Sequence, residues 1–433
     1  MLANVVKYRL VQRDNKLETD IPFLIRAIRK LIWLLRKAKH YMAMSIKWVA
    51  KLIYVKSHLK YLHQFLKLRK LLKDVYSYGT TDDSGTKISI ALILRDGTTY
   101  PKSSAFIRLI SPLSKLVSNE PVAFKIFRQN TTKLPENINV CIVQRTAYDN
   151  VKNAQKLVST LKKRNIKLVV DNDDAFSLID NSHSEYSIQG DRHLALEYLL
   201  KNANQVWVST PALVEQHKAD NPTVYVVANT LDKHLWKQPQ QAPVTQGPLR
   251  MIYMGTATHD EDFRMLLGAL DKLAKQFPRK FELSVIGVSC NDLPERRWIT
   301  RLYQPPGGSI YPKFVSWFLQ QGPFDIGLCP LVESPFNSYK SDIKCLDYIG
   351  ANIRPVASNV PAYDTKELDD YIIRINNSQD LWVEKLSKIL NDIDGFRRKD
   401  SDALPKAVGY LWNKRSSEIA AATILELLQQ ITN

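Results

Sequence analysis

From Gly85 onward the chain alternates between two kinds of apolar pattern. Short, nearly continuous apolar runs (Ile88–Leu94, Val122–Phe127, Ile138–Arg145, Ile166–Asp171, Gln205–Ser209 and Val224–Ala228) are separated by stretches with helical spacing, such as Asn150–Lys163 and Asp191–Lys201. Runs that are apolar on both faces predict strands of a parallel sheet covered by helices on both sides. A Pro/Gln-rich break over residues 237–248 reads as a linker. The pattern then restarts with Arg250–Met254, Phe281–Ile286, Asp325–Cys329, Pro355–Ala357 and Tyr371–Ile375, and a last helix is expected over Ser417–Ile431. These runs predict two doubly wound α/β halves, residues 86–236 and 249–415. Ligands are expected at the carboxyl ends of the strands, in the cleft between the halves.

The first 78 residues follow a different rule. Between Ile21 and Lys73 there are 14 Lys/Arg and no acidic residue, mixed with large apolar side chains. Lys56, Lys60, His63, Lys67 and Lys70 recur at steps of 4, 3, 4 and 3, while Leu59, Leu62, Phe65 and Leu66 fall on the other side. Upstream, Arg26, Arg29, Lys30 and Lys37 face away from Leu24, Ile28, Leu31 and Leu35. This predicts amphipathic helices with cationic faces. Tyr78–Gly85 is then a polar linker.

Charge sharpens that picture. The whole chain of 433 residues carries a formal +18. Residues 1–80 hold 18 basic and 4 acidic side chains (+14), and the remaining 43 basic and 39 acidic side chains give only +4. The basicity therefore belongs to the arm. Residues 21–73 suit an anionic membrane surface, where each basic residue adds ~1 kcal/mol. A helical hairpin packed on a partner or on a second copy, giving a homodimer through the arm, is the other reading. Nucleic acid is disfavoured, since no helix-turn-helix, zinc finger or RNP motif is present. No run of ~20 apolar residues predicts a membrane-spanning helix, and no secretory leader is expected. Four cysteines without metal-ligand spacing fit a reducing, cytoplasmic setting. GxGxxG and GxxxxGK[ST] are both missing from the sequence, which argues against nicotinamide dehydrogenases and P-loop NTPases.

Candidate chemistry concentrates at two strand ends of the second half. The first strand runs into Tyr253-Met-Gly-Thr-Ala-Thr-His-Asp-Glu-Asp262. Here Gly255 permits close approach to the backbone, while Thr256 and Thr258 offer hydroxyls beside a helix start. A plain turn capped by Thr258 fits equally well. The second strand end, Phe324 to Gly350, predicts a helix from near Ser341 with Lys340 at its start and Lys344 one turn on. Two ammonium groups there suit a diphosphate. Asp347 lies on the same face, seven residues and ~10 Å beyond Lys340, about the span from a diphosphate to its ribose hydroxyls. A solvated Lys344–Asp347 pair is the alternative. In the first half, Asp171-Asn-Asp173-Asp174 ends a strand and faces the cleft, with Arg145 and His183 near other strand ends. An acceptor-side role for Asp173 or Asp174 competes with plain helix capping, and Trp207 and Trp236 read as core and hinge packing.

These runs carry a resemblance. FDIGLCPL, PFNSYKSDIKCLDYIG, RPVASNVPAY and IYMGTATHDEDF resemble the donor-binding signature of retaining, family-4-type glycosyltransferases of the GT-B fold. QVWVSTPAL, VVANTLDKHLW, YPKSSAFIRLISPL and VVDNDDAF resemble first-half features of bacterial enzymes that build surface polysaccharides. The resemblance covers about residues 86–430. It implies two Rossmann-like domains, with a terminal helix over 416–433 packing back on the first. It also implies a nucleotide-sugar donor, a glycan or lipid-linked acceptor at the cytoplasmic membrane face, and no required cofactor or metal.

The candidate catalytic residues are Lys340 and Lys344, which the resemblance puts on the leaving diphosphate, and Asp173 and Asp174, whose strand-end position puts them on the acceptor side. Donor binding falls to Gly255, Thr256, His259, Leu331, Asn337, Ser341 and Asp347. Asp347 takes the position of the second carboxylate in the family's Glu-x7-Glu motif. The first carboxylate's position is Tyr339, a departure for which Glu333 or Asn337 would have to compensate. The DxD in residues 171–173 belongs to the other main glycosyltransferase fold, so a metal role is not expected here. The rival reading is a non-catalytic, glycosyltransferase-like scaffold that assembles partners through its arm.

Overall fold

Residues 72–433 form one compact unit. Within it the computed structural model describes residues 87–95, 102–179, 186–237, 246–255, 259–287, 295–305 and 307–432. The basic arm, Thr256, Thr258, His183, Cys290 and most of the 237–248 linker lie outside the described residues.

The first half is a six-stranded parallel sheet: β1 (Ile88–Leu94), β2 (Val122–Arg128), β3 (Val140–Gln144), β4 (Lys167–Asn172), β5 (Gln205–Val208) and β6 (Val224–Val226), in the order β2-β1-β3-β4-β5-β6. The second is again six-stranded and parallel: β7 (Leu249–Met254), β8 (Phe281–Ile286), β9 (Ile299–Leu302), β10 (Ile326–Cys329), β11 (Arg354–Ser358) and β12 (Ile373–Ile375), in the order β12-β11-β10-β7-β8-β9. Strand β9 was not among the expected runs. It pairs only with β8, is half-exposed along its length and carries Arg301, so it lacks the buried signature of its neighbours.

Strand alternation sends side chains to both faces. In β1, Ile90 and Leu92 enter one core while Ala91 and Ile93 enter the other. The first of these cores runs on through Trp207 and Trp236 into Ile252, Tyr348 and Ile349 of the second half, so the halves share apolar packing. The chain crosses between them a second time near residue 416. There Leu231 and Ser416 form a bridge, and the C-terminal helix (Ser417–Thr432) packs on the helix Ser111–Asn119 of the first half. Gln205 Nε2 donates to Leu427 O at 3.0 Å across the same seam. Three cysteines, Cys141, Cys329 and Cys345, are buried and unbridged. Among the described residues, no helix is long and apolar enough to cross a membrane.

Strand order reverses between β1 and β3 in the first sheet and between β7 and β10 in the second. Ligands of doubly wound sheets sit at such switch points, outside the carboxyl ends. The loops leaving β7 (at Gly255) and β10 (at Pro330) are those in which the sequence concentrates its candidate chemistry.

Candidate active site

The β10 loop is built before it presents anything. The Leu331 amide donates to Ser358 Oγ (2.9 Å), its carbonyl accepts from Asn377 Nδ2 (2.8 Å), and Ser358 Oγ donates to Asn377 Oδ1 (2.6 Å). Asn337 ties the loop to itself through Nδ2 to Val332 O (2.9 Å) and its amide to Ser334 Oγ (3.1 Å). The buried side chain of Phe336 leaves the second half entirely and packs in the first-half core, 6.4 Å from Phe176. Thr210 Oγ1 of the first half also donates to Tyr339 O, at 3.2 Å. The loop is thus pinned to both halves. Glu333 is exposed on it, away from these ties.

The helix that follows starts later than the sequence suggests. It spans Ile343–Gly350, with Asp342 before it. Asp342 is gripped by both terminal nitrogens of Arg415 (2.8 and 2.6 Å) and by Thr365 Oγ1 (2.8 Å), which draws its carboxylate away from the helix end. Ser341 Oγ accepts from Asn229 Nδ2 at 2.7 Å, a contact between the halves. Lys340 is therefore extended backbone outside the helix (φ −67°, ψ 157°), and the helical ruler from Lys340 to Asp347 does not apply.

Both lysines nonetheless converge on the cleft. Lys340 Nζ lies 4.3 Å from the centre of the Phe336 ring and 3.6 Å from Asp174 of the first half. Lys344 stands 5.4 Å from the Tyr253 ring, and its ammonium is sealed from solvent with no hydrogen-bond partner. Burial, with Lys340 nearby, lowers its pKa against the pull of Cys329 and Asp262. The alternative reading, a solvated Lys344–Asp347 pair, is not what forms. Asp347 instead accepts from the Tyr311 hydroxyl at 3.3 Å. Burial pushes its carboxyl up to about 7, against the opposing effects of Tyr311 and Lys344.

At the β7 end, Gly255 donates its amide to Ile286 O (3.1 Å), and its carbonyl lies so close to Gly287 (φ +75°) that a Cβ there would sit 2.4 Å away. Glycine is required at that approach. His259 Nδ1 meets Asp262 Oδ2 at 2.6 Å, and Asp262 Oδ1 accepts from Val332 N at 2.7 Å, linking the two loops. Burial and the neighbouring Lys344 lower the imidazole to about 4 despite Asp262, so His259 is neutral at pH 7. A carboxylate only accepts, so Nδ1 carries the proton.

From the first half, Arg145 stacks over Phe176 at 4.3 Å and pairs with Asp173 (2.7 Å) and Asp174 (3.2 Å). Burial raises the Asp174 carboxyl, but Lys340 and Arg145 outweigh it and hold the group below the usual range. Asp171, the first residue of the DxD, points into the core and pairs with Arg108 at 2.6 Å. Among the described residues, no cluster of three metal-ligating side chains occurs.

The structure thus gathers Lys340, Lys344, His259 and Asp174 around one space, with Asp347 deeper along the helix. Leu331, Asn337 and Ser341 lie in the loop that carries the lysines and are held by the bonds described above. Sequence reasoning missed Asp262, Tyr311 and Asn229. Asp262 carried a signal, since it lies one helical turn from His259; Tyr311 and Asn229 carried none, because their partners are 36 and 112 residues away.

No protein-family model matches the chain, and a search of curated proteins finds no relative. Solved structures do match. A glycosyltransferase from Rickettsia africae is 12% identical, with 80% of this chain and 98% of that one covered and a TM-score of 0.53. HepE of Anabaena, determined with UDP, is 10% identical over 79% of this chain and all of its own, with a TM-score of 0.53. The same protein with UDP-glucose gives 11%, the same coverage and 0.52. At such identities the likeness is one of fold: two Rossmann-like halves facing a cleft, the GT-B arrangement.

Proposed function

We propose that the protein is a glycosyltransferase that moves a sugar from a nucleoside-diphosphate donor to a surface glycan or lipid-linked acceptor, with retention at the anomeric carbon. The observation that carries this reading is Lys344, a buried ammonium with no hydrogen-bond partner at the carboxyl edge of a doubly wound sheet. Burying a cation that no hydrogen bond answers is costly, and an anionic ligand would relieve that cost. A diphosphate suits the site, because Lys340 stands near enough to exchange Asp174 for a phosphate oxygen. Asp347 would then accept the ribose hydroxyls. HepE, of the same fold, is known with UDP and UDP-glucose, which supports the same class of donor here.

In the reaction, the bond from the anomeric carbon to the diphosphate oxygen breaks and the acceptor oxygen bonds to that carbon on the same face. The diphosphate leaves as an anion held by Lys340 and Lys344, and one of its oxygens takes the acceptor's proton. Fixed positive charge at a developing anion is the largest contribution such a site can make. The arm, residues 21–73, would hold the enzyme on the anionic cytoplasmic face of a membrane.

A thermal-shift screen with uridine, adenosine, guanosine, thymidine and cytidine diphosphates tests the site. A ligand at 100 times its Kd stabilises by about 2.7 kcal/mol. A chain stabilised by none of them, and turning over no nucleotide sugar, would be left with the scaffold reading. Flotation with anionic vesicles tests the arm: binding should vanish on deletion of residues 1–78, and binding that survives sinks the membrane assignment.

A further inference from the structure

Tyr311 opens the helix Tyr311–Phe318 and is buried between the halves, its ring 5.6 Å from Phe106 of the first. Its hydroxyl donates to Asp347 Oδ1 at 3.3 Å. The indole of Trp236, in the short hinge helix Lys233–Trp236, also bears on this hydroxyl. A carboxylate can only accept, so the hydroxyl proton of this pair points to Asp347. Trp236 is itself immobilised. It is fully buried, stands edge-on to Phe318 at 6.3 Å, and lies against the helix that carries Asp347, where a Cβ at Gly350 would come within 3.0 Å of it.

We infer that Tyr311, backed by Trp236, is the positioning residue of the nucleotide site, setting the Asp347 carboxylate to receive the ribose diol. This rests on the donor-site reading above. A carboxylate offers about four lone-pair directions, and with Tyr311 on Oδ1 the remainder are turned to one side. Lys344 and Tyr348 on its own helix, Tyr311 opposite and Asp232 ahead of the hinge helix are the other titratable groups bearing on this pair. His259 is neutral over the range in which Asp347 titrates. Two donated hydroxyls favour the ionised form of Asp347, so nucleotide binding should strengthen as pH rises through about 7.

The test is calorimetric titration of the wild-type, Tyr311→Phe and Asp347→Asn chains with uridine and guanosine diphosphates, from well below to well above pH 7. Wild type should bind more tightly as the pH rises and level off. Tyr311→Phe keeps the ring and its packing. It should bind about fivefold more weakly at pH 7 and about tenfold more weakly well below it, with its midpoint moved up by about one pH unit, and should approach wild type at high pH. Asp347→Asn should bind weakly with no such pH dependence. If Tyr311→Phe retains the wild-type midpoint, whether its affinity is unchanged or uniformly weaker, Tyr311 is structural only and the inference is overturned while the donor site stands. If wild type binds neither nucleotide, the donor-site reading fails and takes the inference with it.

Discussion

Two buried cations of this protein have opposite surroundings. The Arg108 guanidinium, in the first half, is paired with Asp171 at 2.6 Å and also donates to Val227 O (2.8 Å) and Asn229 Oδ1 (3.0 Å). The Lys344 ammonium, in the second half, is also sealed from solvent, faces the Tyr253 ring at 5.4 Å and has no hydrogen-bond partner. A satisfied buried ion holds a structure in one arrangement; an unsatisfied one is a cost the fold carries for some other purpose. Charge by itself does not separate the two. Their partners do, and those partners distinguish scaffold from site.

The largest expected effect comes from breaking the satisfied member. Arg108→Met leaves Asp171 buried without its counter-charge and should lower the unfolding free energy by about 3–5 kcal/mol, read from urea denaturation. A loss of under about 1 kcal/mol would mean that the pair is not structural. Next comes the unsatisfied member. Lys344→Met should lower the transfer rate by about 10²–10³-fold. Its melting temperature at neutral pH should not fall, because the change removes a desolvated charge rather than a bond. A clear drop in melting temperature with transfer intact would erase the contrast between the two cations.

The smallest effect falls between them, on Asp174. Its pair with Lys340 is partly exposed and 3.6 Å long, so it is worth up to about 1 kcal/mol. Asp174→Asn frees Lys340 from a competitor, and nucleoside diphosphates should bind up to about fivefold tighter. Weaker binding would instead mean that Asp174 touches the ligand.

Much of the second half's site was legible before folding. The run ending at Pro330, the lysines at 340 and 344 and the carboxylate at 347 all lie within about twenty residues. A parallel strand with its loop and helix is a local unit whose carboxyl end is a ligand position by construction. The pairing of His259 with Asp262 was within reach for the same reason. The first half was less transparent. One motif, Asp171-Asn-Asp173-Asp174, sends its first carboxylate into the core from within β4 and the other two to the cleft, because the strand ends at Asn172 and the chain turns into the loop there. Strand β9 escaped notice as a half-exposed edge. So did the helix Ile393–Lys414, which contains Pro405 and a charged run that hides its apolar face.

The pattern of apolar runs, read alone, determined two doubly wound halves and their order along the chain. Its charge distribution set a basic arm apart from a nearly neutral body. Burial periodicity and the sign of a side chain are local properties, and they survive in one dimension. The tertiary structure decided which charges are answered. It gave Arg108 its carboxylate from 63 residues away, paired Asp342 with Arg415, left Lys340 extended ahead of the helix, and set Tyr311 against Asp347. It also left Lys344 with no hydrogen-bond partner. Those outcomes depend on distances between segments brought together only when the two sheets close on a shared core, and the energy of a buried charge is set by that neighbourhood rather than by its place in the chain.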